Sequence, residues 1–322
     1  MSDSTCRRPV GGWARLWTAG VVVGGLLLLP GCSLRKFAVN QVGNALASGG
    51  TTFASDDDPE LIRAAVPFSL KLMESLLAES PRHAGLLFAT ASGFTQYAYA
   101  FVQLDADELE DQDFAGAEVM RARARRLYLR ARDYGLRGLE VRHKGFEEEL
   151  RSQPAAGAAL AKRRDVPLLY WTAVSWGAAI ALAKDDPDLI KDVPQVEALI
   201  DRALALDPDW GEGAIHSFLI TYEMARQGAE GDAVARAGQH FARALVLGRG
   251  AQAGAYVSYA EAVCVARQDL VEFDAMLERA LAVDADAVPE QRLLNLVMQR
   301  RARWLQSKRE DLFLIPEPPG AN

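Results

Sequence analysis

Three cysteines in 322 residues, two of them within the first 32, leave no disulfide framework on which a fold could depend. The third, Cys264 in "YAEAVCVARQ", stands at helical spacing among alanines and valines and is expected as a buried thiol. A basic excess is also missing. Lys and Arg number 36 against 43 Asp and Glu, a net charge of −7, which argues against a general nucleic-acid binder. No run alternates β-branched with polar residues, so no sheet is predicted. Neither a His-Glu-x-x-His, a Gly-x-Ser-x-Gly elbow nor a P-loop occurs. The four histidines, His83, His143, His216 and His240, show no metal-ligand spacing, and each reads as a surface or satisfied, partly buried side chain. "GRGAQAG" at 248–254 has the wrong spacing for a dinucleotide loop and no strand before it, so it reads as a helix–helix turn. No enzyme activity, cofactor or metal is expected. What remains is a chain half apolar and a quarter charged, enough for one large or two medium domains with a real core.

The N-terminus reads as an address. Arg7, Arg8 and Arg15 precede an uncharged stretch of fourteen residues, Leu16 to Leu29, too short for a confident span and suited to a secretory signal. It ends in "LPGC", which resembles a bacterial lipobox, although Pro30 is unusual there. The reading divides the chain into a signal peptide at 1–31, a lipidated tether at 32–57, a helical domain at 58–313 and an extended tail at 314–322. Cys32 becomes the first mature residue, and acyl chains on it hold the protein at a bilayer without a spanning helix. Ser33 after the cysteine favours, by resemblance to Gram-negative lipoproteins, the periplasmic face of the outer membrane. The mature chain keeps 33 basic and 42 acidic side chains, a net charge of −9, and is not drawn to an anionic surface.

Nearly everything after the tether is predicted helical. Asp57 or Asp58 serves as an N-cap, with Pro59 at the first helical position. Gly49-Gly50 and the threonines that follow read as a break. "EALIDRALALDPD", "HFARALVLGRG" and "MLERALAVDAD" repeat one helix ending; aligned on Ala203, Ala244 and Ala280, they lie 41 and 36 residues apart. A small residue near the turn with a large apolar one before it is tetratricopeptide-like. The predicted fold is therefore all-α, a TPR-like α-solenoid of stacked antiparallel helix pairs.

Eighteen uncharged residues separate Asp165 from Lys184 in "VPLLYWTAVSWGAAIALAK". The run is slightly short for a membrane, begins with proline and would split soluble helix pairs across a bilayer, so a central helix covered on several sides is expected instead. Trp171 and Trp176 project about 140° apart and cannot both fill one seam. Tyr170, Trp171 and Trp176, with Phe94, Tyr97, Tyr99 and Phe101 of "FTQYAYAF", are candidates either for core packing or for the walls of a ligand pocket. "DADELEDQDF" lacks the EF-hand glycine and reads as an acidic loop with at best weak calcium affinity. Seven arginines between Arg121 and Arg137 form either a solvated face paired with nearby acids or a docking face for an acidic partner.

Taken in order, "FASDDDPELIRAAVPFSLKLMESLL", "LLFATASGFTQYAYAFVQ", "LLYWTAVSWGAAIAL" and "VEALIDRALALDPDWGEGAIH" resemble the T component of tripartite ATP-independent periplasmic (TRAP) transporters over most of 53–216. The last hundred residues match only in repeat style. The resemblance implies a homotrimer of helical bodies with a pore, docking to the transporter's periplasmic substrate-binding protein, and assistance in delivering a hydrophobic or organic-acid-like ligand. It supplies no ligand residues. The alternative is a TPR-like scaffold for envelope assembly without a small-molecule ligand.

Overall fold

Asp58 opens the first long helix, α1 (Pro59–Glu79), its carboxylate accepting from the backbone N–H groups of Glu60 at 3.0 Å and Leu61 at 3.1 Å. Pro59 stands where no N–H is missed. The computed structural model describes residues 40–45 and 50–314; the signal segment, Cys32, the first residues of the tether and the tail from 315 onward lie outside the described residues. His83 caps α2 (Ala84–Ala98), which passes through a π-helical turn, Tyr99–Gln103, into α3 (Leu104–Leu109). Then come α4 (Phe114–Arg142), capped by Asp113, the short α5 (Phe146–Ser152) and α6 (Pro154–Ala159), and α7 (Val166–Ala181). Further along lie α8 (Val193–Leu206), α9 (Ala214–Ala225), α10 (Ala233–Leu247), α11 (Ala253–Tyr259), α12 (Leu270–Leu281) and α13 (Arg292–Ser307), besides helical pieces of three or four residues. A second π-helical turn, Ala260–Cys264, continues α11. The chain is all-α, with no strand among the described residues.

α4 is the central helix, packed against both α2 and α7, which also touch each other, and α7 is covered in turn by α8. That explains the uncharged run. α7 is apolar all round because neighbours enclose it, and no helix among the described residues is long and apolar enough to cross a membrane. The α4–α7 crossing is close because Gly135 meets Thr172 and Gly138 meets Leu168. Ala203, Ala244 and Ala280, the alanines of the repeated endings, are all buried. Ala244 shows the reason, since a Cβ on Gly213 would lie only 3.2 Å from its Cα. The 248–254 segment is the expected turn, with Arg249 and Gly250 in the left-handed region before α11 begins.

Two segments differ from their sequence reading. Gly50–Ala54 is a short helix rather than a break. Phe53 is drawn into the core formed around Ile62, Phe94 and Phe101, and Arg292 donates to the Ser55 carbonyl at 2.8 Å; tertiary contact overrides a weak local preference. The acidic segment, expected as a loop, is helical as far as Leu109 because the π turn carries α2 onward and cationic side chains neutralise its carboxylates.

Candidate functional surface

The seven predicted rings fall into two groups. Phe94, Tyr97 and Phe101, at i, i+3 and i+7 on the α2 side, share one core with Ile62 and Leu70 of α1 and Ala124 and Tyr128 of α4. Tyr170 and Trp176 belong to the core between α7 and α8, with Trp171 and Trp210 against them; Tyr170 contacts both of these rings at 5.0 and 4.9 Å. Tyr99, half-buried, bridges toward the C-terminal helices and donates to the Met298 sulfur at 3.7 Å. Trp171 and Trp176 do diverge: the first is half-buried and the second buried, with its indole N–H lacking an acceptor.

Arginines of α4 roof these rings. Arg130 lies 5.0 Å from the centroid of Phe94, Arg123 6.0 Å from Tyr97, Arg137 5.1 Å from Tyr134 and Arg132 5.0 Å from Trp176. Tyr134 itself stacks on Phe94 at 6.1 Å. Such cation–π contacts contribute roughly 0.5–1 kcal/mol at exposed sites and hold the guanidinium in place. Two shallow depressions, of about 420 and 350 Å³, lie elsewhere, around Arg63, Asp105, Glu108 and Arg300 and beside Arg303 and Trp304; none of the seven rings lines either.

The acidic segment finds its partners across the molecule rather than only on α4. Asp105 is held by Arg63 and Arg300, Asp107 by Arg121 and Arg301, and Glu108 by Arg300. Arg301 also pairs with Glu261, inside the second π turn, and lies 4.0 Å over Trp304. The two aspartates answer differently. For Asp105, burial opposes the charge but two arginines overcome it, and its carboxyl is held below the usual range. Asp107 is deeper and feels Glu261, so burial wins and its carboxyl is pushed up. Among the described residues no group of three or more His, Cys, Asp or Glu could hold a metal ion.

The histidines divide similarly. His143 contacts the buried Asp165 carboxylate at 2.8 Å, which Arg142 and the Lys162 N–H also engage. His216 and His240, 24 residues apart and unrelated by any motif, meet Nδ1 to Nδ1 at 2.8 Å across α9 and α10, so at least one of the pair is neutral. Burial, then His240 and Arg243, push His216 down to about 4; burial and Arg226 lower His240 against the pull of Glu223 and Asp201. Both prefer the neutral form when folded, so the unfolded chain binds more protons between about pH 4 and 6.5. Stability from the pair is complete above pH 6.5 and lost as pH falls. Urea unfolding is expected to show wild type losing about 1–2 kcal/mol more than H216Q/H240Q between about pH 7 and pH 5. Parallel pH curves for the two proteins would refute the effect. Cys264 is fully buried as expected, its thiol pushed up to about 12 by burial, so it is inert.

The described residues form an all-helical body in which the seven predicted rings pack into or against the cores and arginines of α4 lie across several of them. A family model described as TRAP transporter T-component matches residues 55–313, and the chain belongs to that family, a periplasmic-side transport accessory. It is also similar to an uncharacterized protein of Treponema pallidum (strain Nichols), 32% identical over 306 residues, covering 89% of this chain and 95% of the relative.

Proposed function

We propose that this protein is a lipid-anchored accessory of a TRAP-type transporter. It docks the periplasmic substrate-binding protein and helps to deliver a hydrophobic or organic-acid-like ligand. The observation that carries the reading is the family match across nearly the whole helical body. The lipobox-like "LPGC" supports a signal at 1–31 and acylation of Cys32, which would keep the body at the periplasmic face of the outer membrane. The buried N–H of Trp176 is a donor that a ligand carbonyl could use. Because Phe94, Tyr97, Phe101, Tyr170 and Trp176 are each buried within one protomer, a conduit lined by them requires an opening of these cores, and one formed by assembly in the expected homotrimer would use other side chains. The same burial favours the second reading, a scaffold with no small-molecule ligand.

Size-exclusion chromatography with light scattering, run on the protein with its transporter's substrate-binding protein, tests the first reading. A stable or rapidly exchanging complex at micromolar concentration is expected. Absence of any complex at high micromolar concentration, with or without extracted ligand, would overturn it. Mass spectrometry of co-purified molecules separates the readings: an apolar or carboxylate-bearing compound supports delivery, and none supports the scaffold.

A further inference from the structure

We propose that the exposed face of α4, from Val119 to Arg137, is the surface on which the transporter's soluble substrate-binding protein docks, through an acidic face of its own. The proposal rests on the functional reading above and names the contact surface for it. Residues 119, 123, 126, 130, 133 and 137 lie within about 80° of arc on one side of the helix. Four of them are exposed arginines, at 123, 126, 130 and 137. The row from Arg123 to Arg137 is about 21 Å long at 1.5 Å per residue, a length that one helix or strand of a partner can follow. Val119, 70% exposed, opens the row with an apolar contact.

The row carries free charge. In a chain with an acidic surplus, many arginines hold carboxylates, Arg63, Arg121, Arg226, Arg236, Arg300 and Arg301 among them. Arg123 and Arg126 have no ion pair among the described residues, and the one acid in the row, Asp133, is engaged by Arg132. Arg130 pairs with Glu74 of α1, and Arg137 donates to the Pro81 carbonyl at 3.3 Å. Three of the four are seated on rings, Arg123 on Tyr97, Arg130 on Phe94 and Arg137 on Tyr134. A guanidinium stacked on a ring keeps its N–H edge for carboxylates while losing little further side-chain freedom on binding. Arginine enrichment is a mark of protein interfaces.

Residues 40–45 pack where α1 turns into α2, with Asn40 bonded to Ser80 at 2.9 Å, next to the carbonyl that Arg137 holds. A chain from Cys32 to Asn40 spans at most about 28 Å. The Arg137 end of the row therefore stays near the anchor, while Arg123 stands about 21 Å further along the helix.

Association of the purified full-length protein with the substrate-binding protein of its transporter is followed by surface plasmon resonance at about 50 and about 300 mM salt. R123E/R126E is expected to lower the association rate about tenfold or more, to leave dissociation within about twofold and to flatten the salt dependence. R123K/R126K keeps the wild-type association rate and salt dependence. Neither position holds an ion pair, so circular dichroism should match wild type, and the loss of the Arg123–Tyr97 contact should lower the thermal midpoint by no more than about 2–4 °C. If R123E/R126E binds at the wild-type rate with wild-type salt dependence, the docking face is wrong while the transporter role stands. If wild type binds nothing, both fall. If R123E/R126E loses only binding to phosphatidylglycerol vesicles and keeps the binding protein, the face belongs to a membrane and the proposal is overturned.

Discussion

Replacing Arg301 with methionine is expected to cost about 3–5 kcal/mol of unfolding free energy, the range found when one partner of a buried ion pair is removed. The side chain is nearly enclosed and holds Asp107 at 2.9 Å with one nitrogen and Glu261 with the other. It comes from α13; Asp107 lies just past the first π turn and Glu261 within the second, so one guanidinium ties three helical segments from both halves of the chain. Methionine fills similar volume, which separates the loss of charge from a cavity. Without Arg301, Asp107 keeps Arg121 but faces Glu261 and its own burial penalty, both of which already raise its carboxyl. The R301M loss should therefore be largest at about pH 8 and shrink toward about pH 5, as Asp107 takes up a proton. R301M/D107N should recover a substantial part at neutral pH. Urea unfolding of the three proteins at both pH values decides it; a loss below about 1 kcal/mol for R301M would mean that the cluster is solvated and weak.

The second large effect is steric. Gly135→Val on α4 should destabilise by about 3 kcal/mol, at the upper end of what overpacking costs. A Cβ there would fall inside van der Waals contact of the Thr172 hydroxyl and 3.1 Å from its Cβ. Thr172 cannot swing away freely, because it is buried on α7 and its hydroxyl donates to the Leu168 carbonyl at 2.6 Å. Gly135→Ala sets two effects against each other: alanine favours a helix by about 1 kcal/mol over glycine, but its methyl meets the same wall. The single variant is expected to be less stable than wild type, and G135A/T172A to regain more than half of the loss. Thermal unfolding of the cycle measures the coupling. Equal losses in G135A and G135A/T172A would show that Thr172 is not the obstacle.

Much of the fold was legible because it is local. Asp58 with Pro59, the turn at Gly248–Gly250 and the small residues Ala203, Ala244 and Ala280 act within a few residues of themselves. The aromatic segments were legible as buried material, but periodicity is silent on whether a neighbour fills the space beside a ring. Arg123, Arg130 and Arg137 recur every seven residues and read as a charged stripe; that the first two sit on Tyr97 and Phe94 depends on how α4 lies across α2, whereas Arg137 meets Tyr134 of its own helix. His216 and His240 carry no signal in their spacing at all.

The all-α class, most helix starts and the acidic balance thus belong to the amino-acid order alone, because capping, propensity and 3.6-residue periodicity operate over one or two turns. Only the tertiary structure decided which carboxylate meets which arginine. Asp107 and Arg301 are 194 positions apart, and nothing short of the folded packing of α3 against α13 brings them together. The π turns, the histidine pair and the unpaired arginines of α4 have the same origin: each depends on what the neighbouring helix places opposite it.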